Sequence, residues 1–521
     1  MDQVVDQKSN QTLNFIGGEY RTSSSDKTFE NINPIDGSVA SIVHEADKSD
    51  VDAAVKAAKA AMDGEWGQMP LAKRLDLICK LADGINARFD EFLAAEVADT
   101  GKPNSLASHI DIPRGAANFQ VFADTMKSHH GDFFKMDTPD GTGAINYTSE
   151  RPKGVIGVIC PWNLPLLLMT WKVGPALACG NAVIVKPSEV TPMSGAMVQE
   201  IFALADAPMH LVQTLIGDGE TGAELISQGP DKVSFTGSVA TGKKIAAKCG
   251  EMLIPFSLEL GGKDAMIVCS DADVKDAASG AVVGSFMNAG QYCCGTERIY
   301  VMSDIYDEFV AEVVSITKSL VQSNDCKGDV GPTFWDKQID IIEDHVNDAI
   351  AKGATVLAGG KRNPAFEGLY FEPTVMTEVT HEMKIMKDET FGPVICIMKV
   401  SSEDEALSLA NQSHYGLNGN VWTKDLVKGQ KLARSIETGA CSVNDMAMSY
   451  GVNEVPFGGV KNSGLGVVNG KEGLLGYAHA MPIIIGKKSA SAYPYTDKSF
   501  EQLKGALKIF WGNRLVRKLF G

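Results

Sequence analysis

The sequence predicts an α/β protein built on two parallel-sheet domains, and three observations carry that prediction. Short, continuous apolar runs rich in β-branched residues recur along the chain, stretches of helical spacing separate them, and one turn-broken extended stretch interrupts the series. A run that is apolar at every position belongs to a strand covered on both faces. Helical crossovers between such strands make the sheet parallel.

Taken in order, "SDVDAAVKAAKAAM" sets an Asp cap before Ala-rich helical spacing, and "LAKRLDLICKLADGI" continues with apolar residues at i, i+3 and i+4. "FFKMDTPDGTGAINYTSERP" predicts an excursion pair of strands, with "LGYAHAMPIIIGKK" as a partner strand. The first α/β series then runs "GVIGVIC", "LLLMTWKVGPALACG", "NAVIVKP", "SGAMVQEIFALADA", "KVSFTG" and "SVATGKKIAAKCG". A second series follows: "DAMIVC", a helix around "VKDAASGAVVGSFM", "ERIYV", a helix from about Ile305, then "GATVLAGG" and "VICIMKV". The division between the two falls near residue 260. No internal repeat is present.

Composition excludes several classes. The 521 residues suffice for two or three domains, and 48 Lys plus Arg against 65 Asp plus Glu give a net charge of −17. Such a surface repels a phosphate backbone, so nucleic acid is not an expected partner. The polar start "MDQVVDQKSNQ" lacks a signal-peptide core, and no apolar run approaches the ~20 residues of a spanning helix. Ten scattered cysteines without C-x-x-C spacing fit free thiols in a reducing cytoplasm, and no metal site is expected.

Four stretches carry chemistry. "NAGQYCCGTER" places Cys293 beside Cys294. Adjacent cysteines make poor structural disulfides, because neighbouring Cα atoms are held about 3.8 Å apart. A nucleophile then stands against a pair of small buried hydrophobes. "SFTGSVATGKKI" puts Gly237 between a strand and a helix beginning near Ser238, where free N–H groups can hold an anion. It nearly matches a phosphate-binding loop but has Lys244 at the Ser/Thr position, so a simple tight turn competes. In "PFSLELGGKDAMIV", Glu259 ends a strand before two glycines; alone it would be a salt-bridged surface residue. In "CPWNLP", Pro161 and Pro165 bracket Asn163, whose amide can donate without carrying charge. Together a thiol, a base, an oxyanion donor and a dinucleotide cradle suit attack on a carbonyl, hydride loss to nicotinamide and thioester hydrolysis.

The ordered motifs "PWNLP", "KPSE", "FTGS", "ELGGK", "GQYCC", "ETFGPV" and "PFGG" make the chain resemble the aldehyde dehydrogenase superfamily from about residue 12 to about 490. The resemblance implies an aldehyde dehydrogenase-like fold: a Rossmann-type NAD-binding domain (1–129 and 151–260), an α/β catalytic domain (261–475) and oligomerisation strands (130–150 and 476–492), while residues 493–521 form a tail beyond the usual end of the family. The family's G-Q-x-C register selects Cys293 as nucleophile, and Glu259 lies the family's 34 residues before it. It further implies that Asn163 and the Cys293 N–H form an oxyanion hole. Ser238 would hold the cofactor's pyrophosphate, Lys186 and Glu189 the adenosine ribose, Glu389 the nicotinamide ribose, and Phe391 the nicotinamide, with Trp162 and Gly237 also in the cofactor site. A carboxylate at Glu189 repels a 2′-phosphate, which favours NAD over NADP. A homodimer or homotetramer is expected.

For substrate, "DIPRGAANF" and "TPDGTGAINY" look most like the muconic semialdehyde dehydrogenases of aromatic catabolism, in which an arginine matching Arg114 grips a carboxylate. Those enzymes carry a second arginine two residues before "PFGG", where this chain has Glu454. Together with Leu164, Leu167, Trp171, Tyr292 and Phe457, that departure points instead to an apolar aliphatic or aromatic aldehyde. A Cys–Glu–Lys amidohydrolase using Cys293, Glu259 and Lys263 is the alternative of another class, but it leaves "FTGS" and "KPSE" without a role. A non-catalytic relative would lack the thiol or the base, and neither is missing. The tail from Asp497 holds six basic residues (Lys498, Lys504, Lys508, Arg514, Arg517, Lys518), with Phe500, Leu503, Leu507, Phe510 and Trp511 at helical spacing. It predicts a basic amphipathic helix that either touches an anionic membrane face or docks on protein.

Overall fold

The computed structural model describes residues 11–136, 143–446, 451–486 and 496–512, without the side chains of residues 506 and 509–511. Arg514, Arg517 and Lys518 therefore lie outside the described residues, as do the side chains of Phe510 and Trp511. The chain divides into two compact units, Met1–Lys127 with Lys153–Tyr477, and Ser128–Pro152 with Ala478–Gly521.

The larger unit holds the two α/β series. Its eight-stranded sheet runs in the order Gly464–Leu465, Phe256–Glu259, Lys232–Thr236, Val155–Ile159, Ala182–Lys186, Val212–Thr214, Asn14–Ile16 and Glu19–Arg21. The five strands from Phe256–Glu259 to Val212–Thr214 are parallel, and the flanking ones antiparallel. The strands at 155–159, 182–186 and 232–236 are buried at every position, the polar Lys186, Lys232, Ser234 and Thr236 included, as strands covered on both faces must be. Chain order reverses direction between Val155–Ile159 and Lys232–Thr236. This is the switch point at which open α/β sheets bind ligands, beyond the carboxyl ends of the strands.

A seven-stranded sheet runs Thr355–Ala358, Thr374–Thr377, Val394–Val400, Thr296–Met302, Asp264–Val268, Gly419–Trp422 and Ser442–Val443, parallel except for its first pair. The chain passes from one sheet to the other through Leu260–Lys263. The first helix begins earlier than the sequence pattern suggests: Asp47 caps Lys48–Asp63, and Asp50 closes the capping box from the third helical position.

In the smaller unit Phe133–Met136 and Ala478–Gly486 both pair antiparallel with Ala144–Pro152. The predicted excursion pair thus exists, with "AHAMPIIIG" as its third strand. Helix Asp497–Gly512 follows.

Candidate active site

A groove of about 770 Å³ lies at the switch point, bounded by the segment after Val155–Ile159, the turn after Lys232–Thr236, and Cys293, Glu389 and Phe391. Trp162, Asn163, Lys186, Glu189, Gly237 and Ser238 also line it. The sequence-assigned residues of thiol, amide and cofactor cradle therefore share one cavity.

Asn163 is buried, one residue before the helix start at Leu164 and Pro165. Its carbonyl accepts from Asn288 Nδ2 at 3.0 Å and Lys102 Nζ at 3.4 Å. Its own Nδ2 donates one hydrogen to the Gln291 carbonyl at 3.1 Å, leaving the second hydrogen available to another acceptor. Gln291 is itself pinned: Oε1 accepts from Phe334 N at 2.8 Å, and Nε2 donates to the Asn288 carbonyl at 2.9 Å.

Just before the thiols, Asn288, Ala289 and Gly290 all adopt left-handed backbone, with φ of 55°, 54° and 73°. Asn and Gly accept that region readily, whereas at Ala289 it is strained. The kink delivers Cys293 to the groove and buries Cys294. Hydrogen bonding from the Cys294 thiol, helped by the backbone N–H groups of Cys294 and Cys293 and by the Lys172 charge, lowers the Cys293 pKa against the opposing effect of burial. The same bond, with burial, holds the Cys294 proton tightly. Two adjacent residues of one type thus take opposite states, and the one facing the groove is the better nucleophile.

Glu259 ends its strand and is buried, though it is not among the groove's lining residues. Both carboxylate oxygens lack a hydrogen-bond partner among the described residues. Burial, reinforced by the neighbouring Cys293 charge, pushes its pKa well above the usual range, while Lys172 opposes this. Gly262 explains how the strand end and the thiol segment meet: a Cβ there would sit 2.5 Å from the Cys293 carbonyl oxygen.

The cofactor cradle fits a dinucleotide by its donor set. Ser238 caps helix Val239–Met252 through Thr241 N, so a helix N-terminus with its free N–H groups faces the groove. Lys186 pairs with Glu189 at 3.1 Å, a donor and an acceptor of the kind ribose hydroxyls use. Trp162 and Phe391 meet edge to face at 5.2 Å. Glu389 accepts from Gly262 N at 3.0 Å, and burial, with Glu297 next, raises its pKa. Lys263 is ion-paired with Glu297, which also accepts from Thr390 N and Phe391 N at 2.8 and 2.9 Å. That lysine steadies the 390–391 segment, so it is not free to complete an amidohydrolase triad.

Of the residues assigned to substrate, Trp171 and Phe457 pack ring against ring at 5.6 Å and are buried, as is Tyr292. Arg114 donates to the Gly451 carbonyl at 2.6 Å, and Glu454 is exposed. Sequence reasoning missed Lys172, the one charge in the wholly buried helix Pro165–Ala178, held by the Leu168 carbonyl at 3.0 Å. A lone lysine in an otherwise apolar run was the available signal, since buried ammonium groups are rare without a task. The cluster of Glu96, Lys102 and Asp111 beneath Asn163 was missed as well.

Comparison with known proteins agrees with this geometry. The model of the Aldehyde dehydrogenase family matches residues 20–482. A 2-hydroxymuconic semialdehyde dehydrogenase of Pseudomonas sp. (strain CF600) is 44% identical over 480 residues, covering 90% of this chain and 98% of that one. A 4,4'-diapolycopene aldehyde oxidase of Methylomonas sp is 41% identical over 367 residues, covering 70% of this chain and 68% of that one. The NAD+ complex of an aldehyde dehydrogenase from Bacillus cereus superposes with a TM-score of 0.88 at 36% identity, covering 92% and 97%. These findings give the amidohydrolase reading no support. The chain belongs to the aldehyde dehydrogenase family, an oxidoreductase of the aldehyde group that works with a nicotinamide dinucleotide.

Proposed function

We propose that the chain oxidises an apolar aldehyde to its carboxylate with NAD, through a thioester on Cys293. The observation that carries this reading is the single groove lined together by Cys293, Asn163, Lys186, Glu189 and Ser238. In the reaction, the Cys293 sulfur bonds to the aldehyde carbon and the C=O electron pair moves onto oxygen. The second Asn163 N–H and the Cys293 N–H meet that oxyanion. As the oxyanion re-forms C=O, the carbon loses its hydride and the thioester remains; NAD, when bound, would supply the acceptor for that hydride. Glu259 then takes a proton from water as water attacks the thioester, and the Cys293 thiolate leaves with the electron pair.

Lys186 and Glu189 would hold the adenosine ribose, Ser238 the pyrophosphate, and Glu389 with Phe391 the nicotinamide side, with Trp162 and Gly237 lining the same cradle. Glu189 is partly exposed at the rim, where its charge disfavours a 2′-phosphate and so favours NAD. The functional division follows the sequence boundaries, with 1–129 and 151–260 for cofactor, 261–475 for catalysis, and 130–150 with 476–492 for assembly. Exposed Phe133, Phe134, Ile484 and Ile485 support a homodimer or homotetramer formed through those strands.

For substrate, the buried aromatic rings of Trp171, Tyr292 and Phe457 make the surroundings apolar, and Glu454 disfavours a second carboxylate. The 4,4'-diapolycopene aldehyde oxidase likeness is in keeping with this. A semialdehyde acid is the second reading, favoured by Arg114 and by the Pseudomonas relative's name. Absorbance at 340 nm with NAD or NADP, across alkanals, aromatic aldehydes and semialdehyde acids, decides among them. Uncharged aldehydes with NAD should lead, and Glu454→Arg should shift preference toward the acid. A wild-type preference for acids of tenfold, about 1.4 kcal/mol, sinks the apolar reading.

Ten free cysteines favour the cytoplasm, and among the described residues no helix is long and apolar enough to cross a membrane. Helix Asp497–Gly512 lies beyond the family match and exposes Phe500, Leu503 and Leu507 beside Lys504 and Lys508. Its positive charge on an acidic chain suits the inner, anionic face of a membrane, at about 1 kcal/mol per basic residue. Full-length protein should sediment with anionic liposomes at low salt, and a truncation before Asp497 should not. Full-length protein left in the supernatant overturns lipid contact in favour of docking on protein.

A further inference from the structure

We propose that Glu96, Lys102 and Asp111 form a buried positioning cluster that aims the Asn163 amide at the developing oxyanion. The inference rests on the role given to Asn163 above and adds residues that neither the motifs nor the reaction required.

All three side chains are fully buried. Lys102 Nζ lies 2.6 Å from Asp111 Oδ2 and 3.1 Å from Glu96 Oε1. Burial opposes the Lys102 charge, yet the two carboxylates raise its pKa and keep it an ammonium. The cluster grips the segment carrying Asn163 at both ends. Lys102 donates to the Asn163 carbonyl at 3.4 Å, and Glu96 Oε2 accepts from Leu166 N at 3.3 Å. Leu166 N belongs to the first turn of helix Pro165–Ala178, whose N-cap residue Leu164 makes no side-chain capping bond. A remote carboxylate therefore does what a local Ser or Asp does at other helix starts.

The Lys102 ammonium also lies 5.7 Å from the centre of the Phe334 ring. Phe334 N donates to Gln291 Oε1, and the Gln291 carbonyl accepts from Asn163 Nδ2. The circuit thus returns to the amide it steadies. Asp111 enters it through a five-residue π-turn, Ala107–Asp111, a break in helical phase of the kind that recurs at functional sites. A plain hydrophobic contact would fill this volume with less desolvation, so three buried charges call for a purpose beyond packing.

A double-mutant cycle tests the inference, reading kcat/KM for aldehyde oxidation in Lys102→Met, Asn163→Ala and the double variant. Lys102→Met should lower kcat/KM on the order of 10²-fold, as misplacement of a catalytic donor does. The same change made in Asn163→Ala should add almost nothing, because the donor it aims is already gone. Alkylation of Cys293 by iodoacetamide, which builds no oxyanion, should keep its wild-type rate in Lys102→Met. Should Lys102→Met fail to fold, Asp111→Asn takes its place, since it leaves a neutral Lys102–Glu96 pair. It should show a smaller loss with the same dependence on Asn163. Equal losses in both backgrounds, an unchanged kcat/KM, or a parallel fall in alkylation overturns the proposal. Wild-type kcat/KM in Asn163→Ala alone removes the oxyanion role of Asn163 and overturns the proposal with it.

Discussion

The strands Val155–Ile159 and Lys232–Thr236 are buried at every position, whereas Phe133–Met136 is exposed at every position and Ala478–Gly486 is mostly so. The first pair ends at the groove and is finished within one chain. The second presents apolar surface that a single chain leaves open to water. Changes near the first should therefore register as chemistry and changes in the second as assembly. Four variants probe that contrast.

The largest effect belongs to Cys293→Ala, which should reduce turnover by on the order of 10⁴-fold or more. NAD binding by titration calorimetry should persist, because the sheet and the helix N-terminus proposed to hold it are untouched. Lost NAD affinity would mean that the thiol segment supports the cradle.

Glu259→Gln should slow turnover by about 10²–10⁴-fold and let mass spectrometry trap an acyl-enzyme. The pH dependence has a definite sign. Burial raises the Glu259 pKa, so the basic form needed for deacylation grows in only as pH rises through that value. Wild-type kcat should climb with pH over that range and the Gln variant should stay flat. Near-normal turnover in the variant would remove Glu259 from the mechanism.

In the exposed sheet, Phe133→Ser with Ile484→Ser should shift mass by light scattering toward smaller species while keeping kcat per active site. An unchanged mass would show that assembly uses another surface. The smallest effect is that of Cys294→Ala. Losing the neighbouring thiol's hydrogen bond raises the Cys293 pKa, so the acid limb of the kcat/KM profile should move to higher pH, with near-wild-type activity on its alkaline side. A loss equal to that of Cys293→Ala would overturn the choice between the two thiols.

The same contrast explains what the sequence disclosed. Buried strands such as Val155–Ile159 announce themselves as apolar runs, so the two α/β series are legible in the sequence, whereas the switch point that makes the groove follows only from the strand order. Glu259 and Asn163 were visible as polar residues at strand ends, but only the family register separated Cys293 from Cys294, because spacing treats adjacent thiols alike. The cluster of Glu96, Lys102 and Asp111 was hidden for a different reason. A π-turn shifts the helical phase before Asp111, and the cluster's target, Asn163, lies some sixty residues further on. Lys172 was hidden by its neighbours, since a hydrophobic pattern averages one lysine away. The first helix start was misplaced toward Asp50 because both members of its capping box are aspartates.

The left-handed run at Asn288, Ala289 and Gly290 has a consequence for how this enzyme can evolve. A β-branched side chain at any of the three would meet a backbone it tolerates poorly, at roughly 1–3 kcal/mol each. Lineages exploring new aldehydes, or libraries built to do the same, should find these positions nearly closed. Trp171, Tyr292 and Phe457 lie outside that left-handed run, so exchange there meets a packing cost but no backbone strain of this kind. Adaptability and reactivity are thereby separated along the chain, and Tyr292, one residue before the thiol, marks the border between them.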